Sequence, residues 1–150
     1  MNSLPSESPA SKKTPLRGES FIQRGVGTLR NEFPEAYFRM CSTIAGRSLA
    51  LAIDGNTTWV EARRFELLFV SPQPNVDVRI ESDSATVLDV IDARLTLDGA
   101  IRSGRLTATG SRKDLSACYD ALLFFVKGAV RSPSLPLLLE EFRWKARVSS

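Results

Sequence analysis

The side chains able to do covalent or acid–base chemistry in this 150-residue chain are few and scattered. There is no histidine, so the usual general base near neutral pH and the commonest metal ligand are both missing. Cys41 and Cys118 stand far apart in the chain, which indicates neither a disulfide framework nor a structural zinc site. No HExxH, Walker A, GxGxxG or GxSxG pattern occurs. Ser103-Gly104 is flanked by Arg102 and Arg105 and, with no base to activate the hydroxyl, reads as a turn rather than a nucleophile. Asp89 and Asp92 at helical spacing, like the adjacent Glu140 and Glu141, suit a solvated surface better than a catalytic dyad. Cys118 falls on an apolar helical face and reads as a small core residue. These residues point away from an enzyme, and they imply no metal or cofactor.

Charge does not supply a function either. The net charge of +3 and pI near 9.1 could suggest nucleic acid, but the basic residues from Arg24 to Arg147 are interspersed with 17 acidic ones. No dense basic stripe interleaved with aromatics is present, so a nucleic-acid partner is not expected. The pairs Arg63-Arg64 and Arg112-Lys113 could touch anionic headgroups or a partner, yet each is too small to decide anything. The longest apolar run, Ala121 to Val126, is far short of the roughly 20 residues that span a bilayer. Met1 to Ser20 is mostly Ser, Pro, Lys and Glu without an apolar signal region, so the expected location is the cytoplasm. Residues 1–19 bury almost nothing and are expected to form a disordered tail, followed by a single domain over residues 20–145.

The elements that would position any site are better defined. Phe21, Ile22, Val26 and Leu29 predict a short helix weakened by Gly25 and Gly27. Pro34 and Glu35 open a second, with Tyr37, Met40, Cys41 and Ile44 on one face and Gly46 at its end. Three strands in a meander follow: Leu49 to Ile53, Thr57 to Ala62 after an Asp54-Gly55-Asn56 turn, and Phe65 to Val70 with Phe65, Leu67 and Phe69 facing one way. Val76, Val78 and Ile80 alternate with charged residues in a fourth strand, and Ser82, Asp83 or Ser84 can cap a helix carrying Val87, Leu88 and Ile91.

Residues 93–110, ARLTLDGAIRSGRLTATG, compress a Thr96-capped helix with Leu97, Ala100 and Ile101 on one face, a Gly104 stop, and a half-buried strand with Leu106 and Ala108 inward. Ser111 and Asp114 have capping-box spacing before a helix over about 112–130. Its centre, ALLFFV, is apolar almost all round and must be covered on more than one side, by the sheet and by something else. A leucine-rich C-terminal helix, Leu135 to Trp144, is the candidate cover.

Ala100, Ser103, Gly104, Arg105, Leu106 and Gly110 resemble the segment of the sterol carrier protein 2 family in which a short helix ends in a Ser-Gly-basic-Leu turn before the last strand. The likeness extends upstream to Asn75 to Ser82 and downstream to the long apolar helix, covering residues 34–132. It implies an α+β fold with a five-stranded mixed, mainly antiparallel sheet and helices packed on one face. It also implies a non-catalytic lipid-binding or carrier domain, with an apolar tunnel between sheet and helices for a fatty acid, acyl-CoA, sterol or isoprenoid. Carried over by position, the tunnel wall would be Leu67, Phe69, Val78, Ile80, Leu88, Ile91, Ile101, Leu106, Leu122 and Phe125. Arg102 or Arg105 could pair with a carboxylate headgroup, although a solvated surface is the simpler reading of both. Thr107 and Thr109 stand where relatives commonly carry basic or longer side chains, which leaves headgroup preference open. Without the resemblance, the same apolar side chains read as core filling. The alternative is then an interaction scaffold whose cavity is filled by its own side chains.

Overall fold

A computed structural model describes residues 20–134, 137, 138, 140 and 141. The expected tail, the boundary at residue 145, and Leu135, Leu139, Phe142 and Trp144 of the expected last helix lie outside the described residues. The elements run α1 (Ser20–Glu32), α2 (Pro34–Ile44), β1 (Ser48–Ile53), β2 (Asn56–Ala62), β3 (Leu67–Val70), β4 (Val78–Ser82), α3 (Ser84–Ile91), α4 (Leu97–Arg102), β5 (Thr107–Gly110) and α5 (Arg112–Ala129).

Local chemistry sets most of these boundaries. Pro34 occupies the first turn of α2, where its missing N–H costs nothing. Asp83, Thr96 and Ser111 are the N-caps of α3, α4 and α5, their side-chain oxygens accepting from the backbone N–H of Thr86, Gly99 and Asp114 respectively. The β1–β2 turn puts Asp54 at φ 53° and Gly55 at φ 82°, the two successive positive values that a tight hairpin demands. The Asp54 carboxylate also accepts from the Ser84 backbone N–H at 3.0 Å, which ties this hairpin to the start of α3.

The five strands form one mixed sheet in the order β3-β2-β1-β4-β5. Every pairing is antiparallel except the central one, β1 with β4. The register lays Phe69, Val60, Leu49 and Val78 in one row across the sheet, and Leu51 beside Ile80 in the next. This is the inner face. Leu49, Val60, Val78 and Ile80 share one buried cluster with Tyr37, Met40, Cys41 and Ile44 of α2 and Cys118 and Ala121 of α5. Full burial of a Leu, Val or Ile contributes roughly 1.5–3 kcal/mol each, so this layer holds sheet and helices together. At its rim, Arg47 Nε donates to Asp114 Oδ1 at 2.7 Å, and Tyr37 Oη accepts from the Leu67 N–H at 3.0 Å.

Three expectations, on Phe65, β5 and Ile101, need correction. Phe65 precedes β3 and is 64% exposed, because the chain turns at Arg63–Glu66 before pairing resumes. Strand β5 is exposed at all four residues rather than half-buried, since an open groove lies beside it. Ile101 is 43% exposed, for α4 buries Leu97 and Ala100 instead. Among the described residues α2 and α1 pack along α5, and Leu138 of the expected C-terminal cover is buried against Ile91 and Ala129. In α1, Gly25 lies against α5, where a Cβ would come within 3.6 Å of the Phe125 ring.

Candidate functional site

Between the inner face of the sheet and the helices lies a cavity of about 180 Å³. Strands β1 to β4 supply Leu49, Leu51, Ile53, Val60, Leu67, Phe69, Ile80 and Ser82. Ile22 and Val26 come from α1, Met40 and Ile44 from α2, Val87 from α3, Leu106 from the turn before β5, and Cys118, Ala121, Leu122 and Phe125 from α5. The strand residues meet there because period-two alternation points them all to one face, and the helical residues because they recur at three- and four-residue spacing. Ser82 is the one hydroxyl in the wall among the described residues, and it donates to the Arg105 carbonyl at 2.9 Å. The cavity therefore offers an apolar ligand surface with almost no directional polar contact.

Of the residues expected in a tunnel wall, Leu67, Phe69, Ile80, Leu106, Leu122 and Phe125 line this cavity. The other four do not. Val78 is fully buried in the core beneath it, one row along the strand from Ile80. Leu88 and Ile91 belong to a separate cluster with Ala129 and Leu138, on the far side of Val87 and Phe125. Ile101 borders a second, open groove. Sequence reasoning missed α1 and α2 as wall elements, although Met40 and Ile44 already shared an apolar face, and it missed Leu49, Leu51 and Ile53, whose alternation with alanines marked the central strand.

The second groove, about 760 Å³, runs between β5 and α5. Ile80, Leu106, Cys118 and Leu122 line both it and the cavity. Its outer rim carries Ile101, Thr107, Ser116, Tyr119 and Arg112. Tyr119 Oη donates to Asp98 Oδ1 at 2.7 Å, joining α5 to α4, and this bond to a carboxylate holds the phenol's proton and raises its pKa.

Neither cysteine is set up as a nucleophile. Burial pushes the Cys118 thiol up to about 11 and raises Cys41 as well, so both hold their protons at neutral pH, when only a thiolate attacks. Arg105 is committed elsewhere, its Nη2 donating to Asp89 Oδ2 at 2.9 Å and its Nε to Thr86 Oγ1 at 3.1 Å. Arg102 is exposed at the end of α4. Among the described residues no cluster of three His, Cys, Asp or Glu could hold a metal ion, and no helix is long and apolar enough to cross a membrane.

No family model matches the chain, and no curated protein matches it in sequence. Solved structures do match. A structure described as a UbiJ-SCP2 ubiquinone synthesis protein superposes with a TM-score of 0.54 at 16% identity, covering 74% of this chain and 97% of that one. A crystal structure of sterol carrier protein 2 gives 0.51 at 25% identity, over 75% of this chain and 95% of its own. Sterol carrier protein domain 2 of Helicoverpa armigera gives 0.51 at 11% identity, over 72% and 87%. The mixed five-stranded sheet with its helices on one face is the architecture they share with it. By fold, the chain belongs with the sterol carrier protein 2-like domains.

Proposed function

We propose that this chain is a non-catalytic lipid-binding carrier domain that takes a fatty-acyl, sterol or isoprenoid ligand into the space between its sheet and helices and acts in the cytoplasm. The observation that carries this reading is the wall itself: side chains from four strands, four helices and the turn before β5 converge on a void, and the one hydroxyl among them is already engaged. A self-filled interaction scaffold would have closed that void, because packing at native density leaves few gaps larger than a water. The names of the matching structures, a sterol carrier and a ubiquinone synthesis protein, support an apolar ligand.

The mechanism is reversible sequestration. Each buried methylene contributes about 0.8 kcal/mol, so about ten supply roughly 8 kcal/mol before association costs. Binding sites for small ligands generally span about 300–1,000 Å³. A cavity of about 180 Å³ therefore accepts a chain only if side chains such as Leu106 and Leu122 swing toward the groove and join the two spaces.

Native mass spectrometry of the purified protein, solvent extraction, and displacement of a fluorescent fatty acid test the reading together. Co-purifying lipid with saturable, displaceable probe binding is expected. Absence of both would establish the scaffold instead. A Leu122→Arg variant that keeps its circular dichroism spectrum should lose the probe.

A further inference from the structure

We propose, building on the carrier reading above, that the open groove between β5 and α5 receives the anionic head of an amphiphile whose chain runs into the cavity, with Arg112 as the counter-ion. Continuity is the first ground. Ile80, Leu106, Cys118 and Leu122 line both spaces, so an occupant that outgrows the cavity can emerge at the groove past these side chains.

Polarity is the second. The cavity wall is apolar, whereas the groove adds the hydroxyls of Thr107, Ser116 and Tyr119 and one charged side chain, Arg112. A site that grades from hydrocarbon to hydroxyl to guanidinium matches the gradient of an amphiphile with a carboxylate or phosphate end. Arg112 is exposed and has no ion-pair partner among the described residues, in contrast to Arg47, paired with Asp114, and Arg105, paired with Asp89. Its guanidinium is thus available to an oxyanion and can engage it in two parallel hydrogen bonds. The nearest carboxylate on α4, Asp98, is occupied by the Tyr119 hydroxyl.

The test measures displacement of a fluorescent probe by three ligands of one chain length, a fatty acid, an alkyl phosphate and a primary alcohol. They are compared on the full chain and on Arg112→Gln and Arg112→Lys. In the unaltered protein both anions should bind more tightly than the alcohol, and the tighter of the two identifies the head. Gln should weaken the anions about tenfold and leave the alcohol within twofold, the size of one partly solvated ion pair. Lys should retain most of the preference. Equal affinity for all three ligands, equal losses across them in Arg112→Gln, or a Lys variant as weak as Gln overturns the head assignment while leaving the carrier reading intact. Failure of every ligand to bind the unaltered protein overturns the carrier reading itself.

Discussion

Gly128 of α5 lies directly against Leu29 of α1: the place a Gly128 Cβ would take is occupied by Leu29 Cδ1, with Ala36 Cβ of α2 only 3.1 Å away. Three helices meet at this point, and the missing side chain lets them approach. Gly27 of α1, by contrast, faces open space. We expect Gly128→Ala to destabilise the protein by about 1–3 kcal/mol through overpacking. Gly27→Ala should stabilise it by about 0.5–1 kcal/mol through helix propensity alone. Urea denaturation of the pair checks both signs, and a neutral Gly128→Ala would mean that α1 can move away from α5.

Ala121 is buried in α5 and lines the cavity, so enlarging it takes volume from the ligand. Ala121→Leu should lower fatty-acid affinity by about tenfold or more, while the melting temperature stays close to that of the parent. Undiminished binding would place the ligand outside the cavity.

Cys118 gives the domain an alkaline dependence. Its folded pKa of about 11 lies above the roughly 8.5 of an unfolded thiol, and burial is the main cause. The unfolded chain loses this proton first. Stability is therefore fully present below about pH 8.5 and falls as pH rises toward about 11, at up to about 1.4 kcal/mol per pH unit. In a Cys41→Ala background, alkylation of the folded protein should rise with an apparent pKa near 11, and bound lipid should slow it further. A midpoint near about 8.5 would show an exposed thiol.

Trp59 carries a buried indole N–H with no hydrogen-bond partner among the described residues, on the face of the sheet opposite the cavity, where it sits in register with Ala50 and Val70. Removing an unpaired donor recovers part of its desolvation cost, which offsets the lost ring area. Trp59→Phe should thus change stability by less than about 1 kcal/mol. A thermal melt showing a loss beyond about 2 kcal/mol would reveal a partner for the indole.

How much could be read from residue order depended on the range of the interaction involved. Thr96 and Ser111 were legible as caps because a cap bonds to a backbone three residues away, the cap of α3 was narrowed to Ser82, Asp83 or Ser84, of which it is Asp83, and Asp54-Gly55 was legible because its turn needs positive φ at those two residues. Tyr37, Met40, Cys41 and Ile44 were legible as a buried face because one helical turn sets their spacing. Ile101 and the β5 residues were not. The β5 residues are exposed because that end of the sheet opens on a groove, and Ile101 because α4 turns Leu97 and Ala100 inward instead, placements that no local pattern contains. Val78 and Ile80 illustrate the same limit within the site: alternation puts both on the inner face, and only the placement of α5 and α2 decides that one meets packed side chains and the other a void.

The position of α5 after all the strands among the described residues has a consequence for synthesis on the ribosome. All five strands precede Arg112, and the buried residues Cys118 and Ala121 that close the main core follow it. A nascent chain can therefore cover the apolar face of its sheet only with α1 and α2, and the part that α5 closes stays open until α5 emerges. That interval is when a chaperone, or the lipid itself, can first reach the surface that becomes the cavity floor.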